Sequence, residues 1–166
     1  MPASVSDVVV RRATAADHEA VGQITVAAYA EFTDGPDDHY LDLLRDAARR
    51  DREAELWVAE VDGVVRGSVT IALPGSPWRE IGTDDEGEFR MLAVSPDARR
   101  MGVGDALTRL VLDRFRELGF RSIVLSSLRS MSSAHRIYER LGYRRVPERD
   151  WSPQPGVHLI AFAKDL

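Results

Sequence analysis

Gly102 and Gly104 stand where a Leu92-Ala-Val94 run gives way, through Ser95-Pro96, to apolar positions Val103, Leu107, Leu110, Val111, Phe115 and Leu118 at helical spacing. Glycines at the mouth of a helix let the backbone approach an anion closely. The unpaired N–H groups of the first turn then donate to phosphate oxygens, helped by the helix dipole. Arg99 and Arg100 add formal positive charge beside that point. Two familiar phosphate loops are excluded by particular residues. A P-loop needs Gly-Lys-Ser/Thr, whereas Gly104 is followed by Asp105-Ala106. A dinucleotide fingerprint needs a small third residue where Leu107 stands. The chain has no cysteine, which removes thiol nucleophiles, zinc–thiolate sites and disulfides. His18, His39, His135 and His158 are scattered without metal-ligand spacing, so no metal is expected.

The elements that must position this loop are legible from periodicity. Val8 to Arg11 reads as a strand, followed by a helix capped by Thr14 with Asp17 as partner and running to about Glu31. Leu41, Leu44 and Ala48 mark a second helix ending near Arg52. Leu56–Val61, Asp62-Gly63 and Val64–Leu73 form a hairpin. A polar loop from Pro74 to Gly87 precedes a strand from Glu88 to Val94, on which alternation puts Glu88, Arg90, Leu92 and Val94 on one face. The Gly102 helix closes at Gly119, Ile123–Leu128 is a strand, and Ala134, Ile137, Tyr138 and Leu141 line a helix stopping at Gly142. Tyr143–Val146 and Val157–Ala163 read as a final antiparallel pair. The order is βααβββαβαββ, a mixed α/β fold in one domain spanning residues 1–166.

Composition bounds the partners. The 44% hydrophobic and 30% charged content is that of a globular chain and argues against disorder, while a net charge of −5 gives no support to nucleic acid or an anionic membrane as main partner. Neither a secretory leader nor an apolar run of spanning length is visible, and a cytoplasmic location is expected.

Arg99-x-x-Gly102-x-Gly104 after a Leu-Ala-Val strand resembles the pyrophosphate loop of the GNAT superfamily of N-acetyltransferases. The segment Ala134-x-x-x-Tyr138-x-x-x-Gly142-Tyr143 is similar to that family's second signature. The resemblance implies a GNAT-like fold whose central sheet is mixed and mostly antiparallel, with helices on both faces. It implies acetyl-CoA bound where the Glu88–Val94 and Ile123–Leu128 strands splay apart, its arm along Leu92, Ala93 and Val94. The pyrophosphate would sit at Arg99, Arg100, Met101, Gly102, Val103, Gly104 and Asp105. It further implies direct attack by a primary amine in a ternary complex, a route that a chain without cysteine can follow. Tyr138 matches the family's usual acid for the leaving thiolate, and Glu88, which begins the motif strand as a glutamate often does there, is the candidate base. Two positions depart from the pattern: Met131 stands where an asparagine is frequent, and Ser126 where the N-terminal-amine acetyltransferases carry a glutamate base.

For the acceptor, Tyr29, Phe32, Asp34, Asp37, Asp38 and His39 lie where similar folds border that site. Trp78 and Asp84–Glu86 lie on the loop before the motif strand, and aromatic and acidic groups together suit a cationic amine. Trp151, beside Asp150 and Pro153, closes a turn or reaches the acceptor pocket. The expected partner is a small-molecule or peptide amine, with homodimerisation left open. The alternative in a different class is a module that holds acetyl-CoA without catalysis. All basic residues except Lys164 are arginines, which stay protonated and cannot serve as attacking amines.

Overall fold

The computed structural model describes residues 7–33, 35 and 38–166. Asp34 and Asp37, expected to border the acceptor, lie outside the described residues. The hairpin closes at Asp62-Gly63 and joins β2 (Glu55–Val61) to β3 (Val64–Ala72), with β1 (Val8–Arg12) antiparallel along β2. The next segment enters α1 (His18–Tyr29) through one turn of 3₁₀ helix, Ala15–Asp17. There the N–H and hydroxyl of Thr14 both donate to the Asp17 carboxylate, which also receives two hydrogen bonds from Arg11.

The single helix expected after Leu41 is two helices, α2 (Tyr40–Arg45) and α3 (Ala47–Glu53). Asp46 divides them: its backbone leaves helical geometry at φ −82° and ψ 67°, and its side chain caps α3 by accepting from the Arg49 N–H. Arg50, fully buried, secures the break by donating to the end-of-helix carbonyls of Leu43 and Leu44 at 2.8 Å each.

β4 (Glu86–Val94), α4 (Val103–Glu117), β5 (Ser122–Leu128), α5 (Ser132–Arg140), β6 (Arg144–Arg145) and β7 (Leu159–Asp165) complete the chain. The sheet has seven strands in the order β1-β2-β3-β4-β5-β7-β6, antiparallel at every pair but β4–β5. One face carries α4 and α5 over a core that includes Leu107, Val111, Phe115, Phe89, Ile123 and Tyr138. The other carries α1, α2 and α3 over Val21, Leu41, Leu44, Leu56 and Met91. The approach of α4 to the sheet depends on Gly87, where an added Cβ would sit 2.5 Å from the Phe115 ring. Among the described residues no helix is long and apolar enough to cross a membrane.

Two irregularities in β4 interrupt the regular sheet. Its pairing with β5 is limited to Glu86↔Ser122, Gly87↔Ile123 and Glu88↔Val124, so the strands part beyond Glu88. Against β3 it carries one extra residue, Met91 and Leu92 together opposing Val69, with Met91 at φ +54°. This bulge resets the alternation. Glu88 and Arg90 face the α1–α3 side, while Leu92 and Val94 pack into the core under α4. The common face expected for all four is therefore corrected to two faces.

Candidate active site

The segment expected to meet the pyrophosphate begins at the end of β4. The strand stops at Val94, the chain makes a 3₁₀ turn at Pro96–Ala98, and Arg99, Arg100 and Met101 emerge exposed. Gly102 then adopts φ +82°, a left-handed conformation that favours glycine, and turns the chain into α4. The helical hydrogen-bond ladder starts with the Ala106 N–H to the Gly102 carbonyl at 3.0 Å. The N–H groups of Val103, Gly104 and Asp105 thus have no carbonyl within the helix to pair with. Among the described residues no side chain caps the end. Open amides, an aligned helix dipole and two exposed arginines make a cradle that fits a pyrophosphate. Asp105 adds one negative charge there, and Arg140 at the end of α5 meets it at 2.6 Å.

The gap between β4 and β5 opens beside this cradle. On the α4 side stands Tyr138, 5% exposed, its ring packed against Phe89, Tyr143 and Phe162 at centroid distances of 6.0, 5.8 and 5.7 Å. Its hydroxyl makes no hydrogen bond among the described residues, and burial pushes the phenol well above its ordinary value, so it holds its proton. Ser127 on β5 pairs with His135 at 3.0 Å, and burial lowers that imidazole below its usual range.

On the opposite side the wall is polar. Arg90 lies over the Trp78 ring at 5.6 Å, donates to the Trp78 carbonyl, and pairs with Glu80 at 3.0 Å. Tyr29 and Tyr40 join this group. Burial raises both phenols; the neighbouring Tyr40 and Tyr138 raise Tyr29 further, Arg90 opposes both shifts, and Glu80 adds to that of Tyr40. Arg50 is also near; burial lowers it to about 10, and among the described residues its Nε has no partner. From β5, Ser126 accepts a hydrogen bond from the Trp151 indole at 3.0 Å, so that indole packs against the strand at the position of the absent glutamate.

Several expected site residues have different surroundings from those anticipated. Glu88 is fully buried, and its carboxylate accepts from the backbone N–H groups of Glu80, Ile81 and Gly82 at 3.1, 3.2 and 2.9 Å. Trp78 is 4% exposed, its N–H is taken by Glu53, and Arg49 and Arg90 lie over its ring. It buttresses Arg90 instead of bordering open space. Glu86 pairs with Arg149 at 2.8 Å beside Ser122, at the closed end of the β4–β5 seam, and Asp85 lies beside it, away from the gap. Phe32, half-buried, ends an otherwise exposed turn after α1, and Asp38 accepts from the Tyr40 N–H while His39 precedes α2 exposed. Periodicity gave no signal for Glu80 and Tyr40, because the Pro74–Gly87 loop and the fold of α2 bring them to Arg90. The described residues contain no group of three or more His, Asp or Glu arranged to hold a metal.

A mixed, mostly antiparallel sheet that splits between β4 and β5 beside a helix start with open amides defines the class of fold. A family model described as the acetyltransferase (GNAT) family matches residues 19–143. This chain belongs to that family. It is 35% identical over 127 residues to a mycothiol acetyltransferase of Cellulomonas flavigena, covering 67% of this chain and 36% of that protein. It is 34% identical over 89 residues to a probable N-acetyltransferase camello of Xenopus tropicalis, covering 54% and 38%. The chain thus spans well under half the length of these relatives. Among solved structures, a GNAT-family acetyltransferase of Staphylococcus aureus Mu50 superposes with a TM-score of 0.76 at 14% identity, over 96% of this chain and 99% of that one. The yncA protein of Salmonella typhimurium, solved with its cofactor acetyl-CoA, gives 0.67 at 22% identity, over 96% and 94%. These two likenesses establish the fold.

Proposed function

We propose that the chain moves an acetyl group from acetyl-CoA to a primary amine by direct attack within a ternary complex. The observation that carries this reading is the conjunction of open amides at the start of α4 with a β4–β5 gap flanked by Tyr138. Acetyl transfer is also the activity in the names of the mycothiol acetyltransferase relatives.

Arg99, Arg100 and the N–H groups of Gly102 to Asp105 would hold the pyrophosphate, and the β4 edge at Leu92, Ala93 and Val94 would line the arm. Bound acetyl-CoA supplies a thioester whose acetyl carbon is the electrophile. Tyr138 keeps a proton at its Oη, where it serves as donor to a developing negative charge. An alkylammonium acceptor, with a pKa of about 10, must first surrender a proton. Tyr29, Tyr40 and Arg90 form the wall on the acceptor's side. Release of free CoA across a panel of amino acids, polyamines, aminoglycosides and peptides tests the reading. Turnover on one class is expected. Tight acetyl-CoA binding with no turnover anywhere would instead favour the non-catalytic module.

The arginine bias adds a second expectation. With Lys164 the only lysine, incubation with acetyl-CoA should label at most that side chain and the α-amino group. Intact-mass spectra showing three or more stable N-linked acetyl additions contradict this.

A further inference from the structure

Two carboxylates stand at the vertex where β4 and β5 part, and their surroundings differ sharply. We propose that Glu80, not Glu88, takes the proton from the acceptor ammonium, and that Glu88 is the positioning residue that holds Glu80 there. This rests on the acetyltransferase reading and deepens it.

The geometry starts with the last residue pair of the seam, Glu88↔Val124. Glu88 is fully buried, and its two oxygens receive the amides of Glu80, Ile81 and Gly82. Both oxygens are committed to the loop, and neither is exposed to meet an acceptor. The same amide contacts draw the loop across the vertex on the face opposite α4. Ile81 packs over Val124, Val146 and Ala161 on the β5 side. Glu80 reaches the β4 side, its carboxylate 3.0 Å from Arg90 Nε and its side chain 13% exposed. Among the described residues its oxygens receive no hydrogen bond of good geometry, only this charge contact. Burial favours the neutral form of such a carboxylate and so its uptake of a proton, against the opposing charge of Arg90.

The charged and titratable groups facing Glu80 are Arg90 and Glu88 from β4 and Tyr40 from α2. Burial pushes Glu80 up to about 7; Arg90 opposes the shift and the Glu88 charge adds to it. A buried carboxylate whose proton is held more tightly than usual can act as a base near neutral pH. In balance, one proton passes from the ammonium nitrogen to a Glu80 carboxylate oxygen. The nitrogen keeps the electron pair of the broken N–H bond, and Glu80 later returns the proton to water. The base must be ionised, so activity should rise with pH through about 7 and hold above it.

Glu80→Gln tests this with two readouts. In the unliganded wild-type protein, the ¹³C carboxyl resonance that disappears in the variant should titrate near 7. In assays at saturating acetyl-CoA, kcat/KM of E80Q should fall about 10²-fold or more at neutral pH. Its acidic limb should move upward to follow the acceptor's own ionisation, so the defect shrinks as pH rises. Acetyl-CoA affinity and melting temperature should stay at wild-type values. A Glu80 resonance titrating near 4, or E80Q with the wild-type limb and rate, overturns the assignment while leaving the acetyltransferase reading intact. A wild-type protein inert on every amine overturns both.

Discussion

Tyr138→Phe is expected to lower kcat by about 10²–10⁴-fold, the usual contribution of a positioned general acid, with stability and acetyl-CoA affinity nearly unchanged. The environment of the residue makes the experiment clean. The ring contacts to Phe89, Tyr143 and Phe162 are kept by phenylalanine. The lost hydroxyl makes no hydrogen bond among the described residues, so no buried partner is orphaned. The start of α4, proposed to hold the pyrophosphate, is a different element and should bind as before. A fall in kcat at constant cofactor affinity marks an interaction made mainly in the transition state. If Tyr138 is only a packing residue, turnover stays near normal or falls in step with melting temperature. Full activity in a stably folded variant would sink the acid assignment.

Gly104→Val should weaken acetyl-CoA binding at least tenfold while the protein remains folded. Gly104 has no left-handed backbone to protect, and the nearest atom to an added Cβ is Val94 Cγ2 at 3.8 Å, an ordinary contact. Folding therefore has little reason to object. The branched side chain would instead crowd the open amides of Val103, Gly104 and Asp105. Each charge-assisted hydrogen bond lost there is worth about 1.5–3 kcal/mol, and one such loss accounts for the tenfold effect. Isothermal calorimetry with acetyl-CoA and a thermal melt read the two quantities separately. Wild-type affinity would mean that the cofactor lies elsewhere.

Much of the architecture could be read from residue pattern because local chemistry and long-range packing agree. Asp62-Gly63 makes the hairpin turn, and Val103, Leu107, Val111 and Phe115 lay α4 on the sheet. Reading failed where a tertiary contact overrides local spacing. Leu41, Leu44 and Ala48 keep helical spacing through Asp46, yet Arg50 reaches back to the Leu43 and Leu44 carbonyls and ends α2 there. Met91 at φ +54° has no signature of its own, since methionine carries no preference for that conformation. Yet the bulge there separates Arg90 from Leu92 and decides which residues face the α1–α3 side. Glu88 shows the same limit at the site. Its type and place at the start of the motif strand suggested a base, whereas three backbone amides from a loop without periodicity engage it.

The short β4–β5 seam also bears on which strand edges the sheet exposes. Unpaired strand edges are templates for addition of a foreign strand and hence for aggregation. On the outside of this sheet the edges are β1, which carries Arg11 and Arg12, and β6, only two residues long. The longer unpaired edges, Phe89–Val94 and Leu125–Leu128, face each other within the sheet, with helices packed on both faces. An incomplete ladder is thereby turned inward, and the fold keeps a vacant strand position without offering it to another copy of the chain.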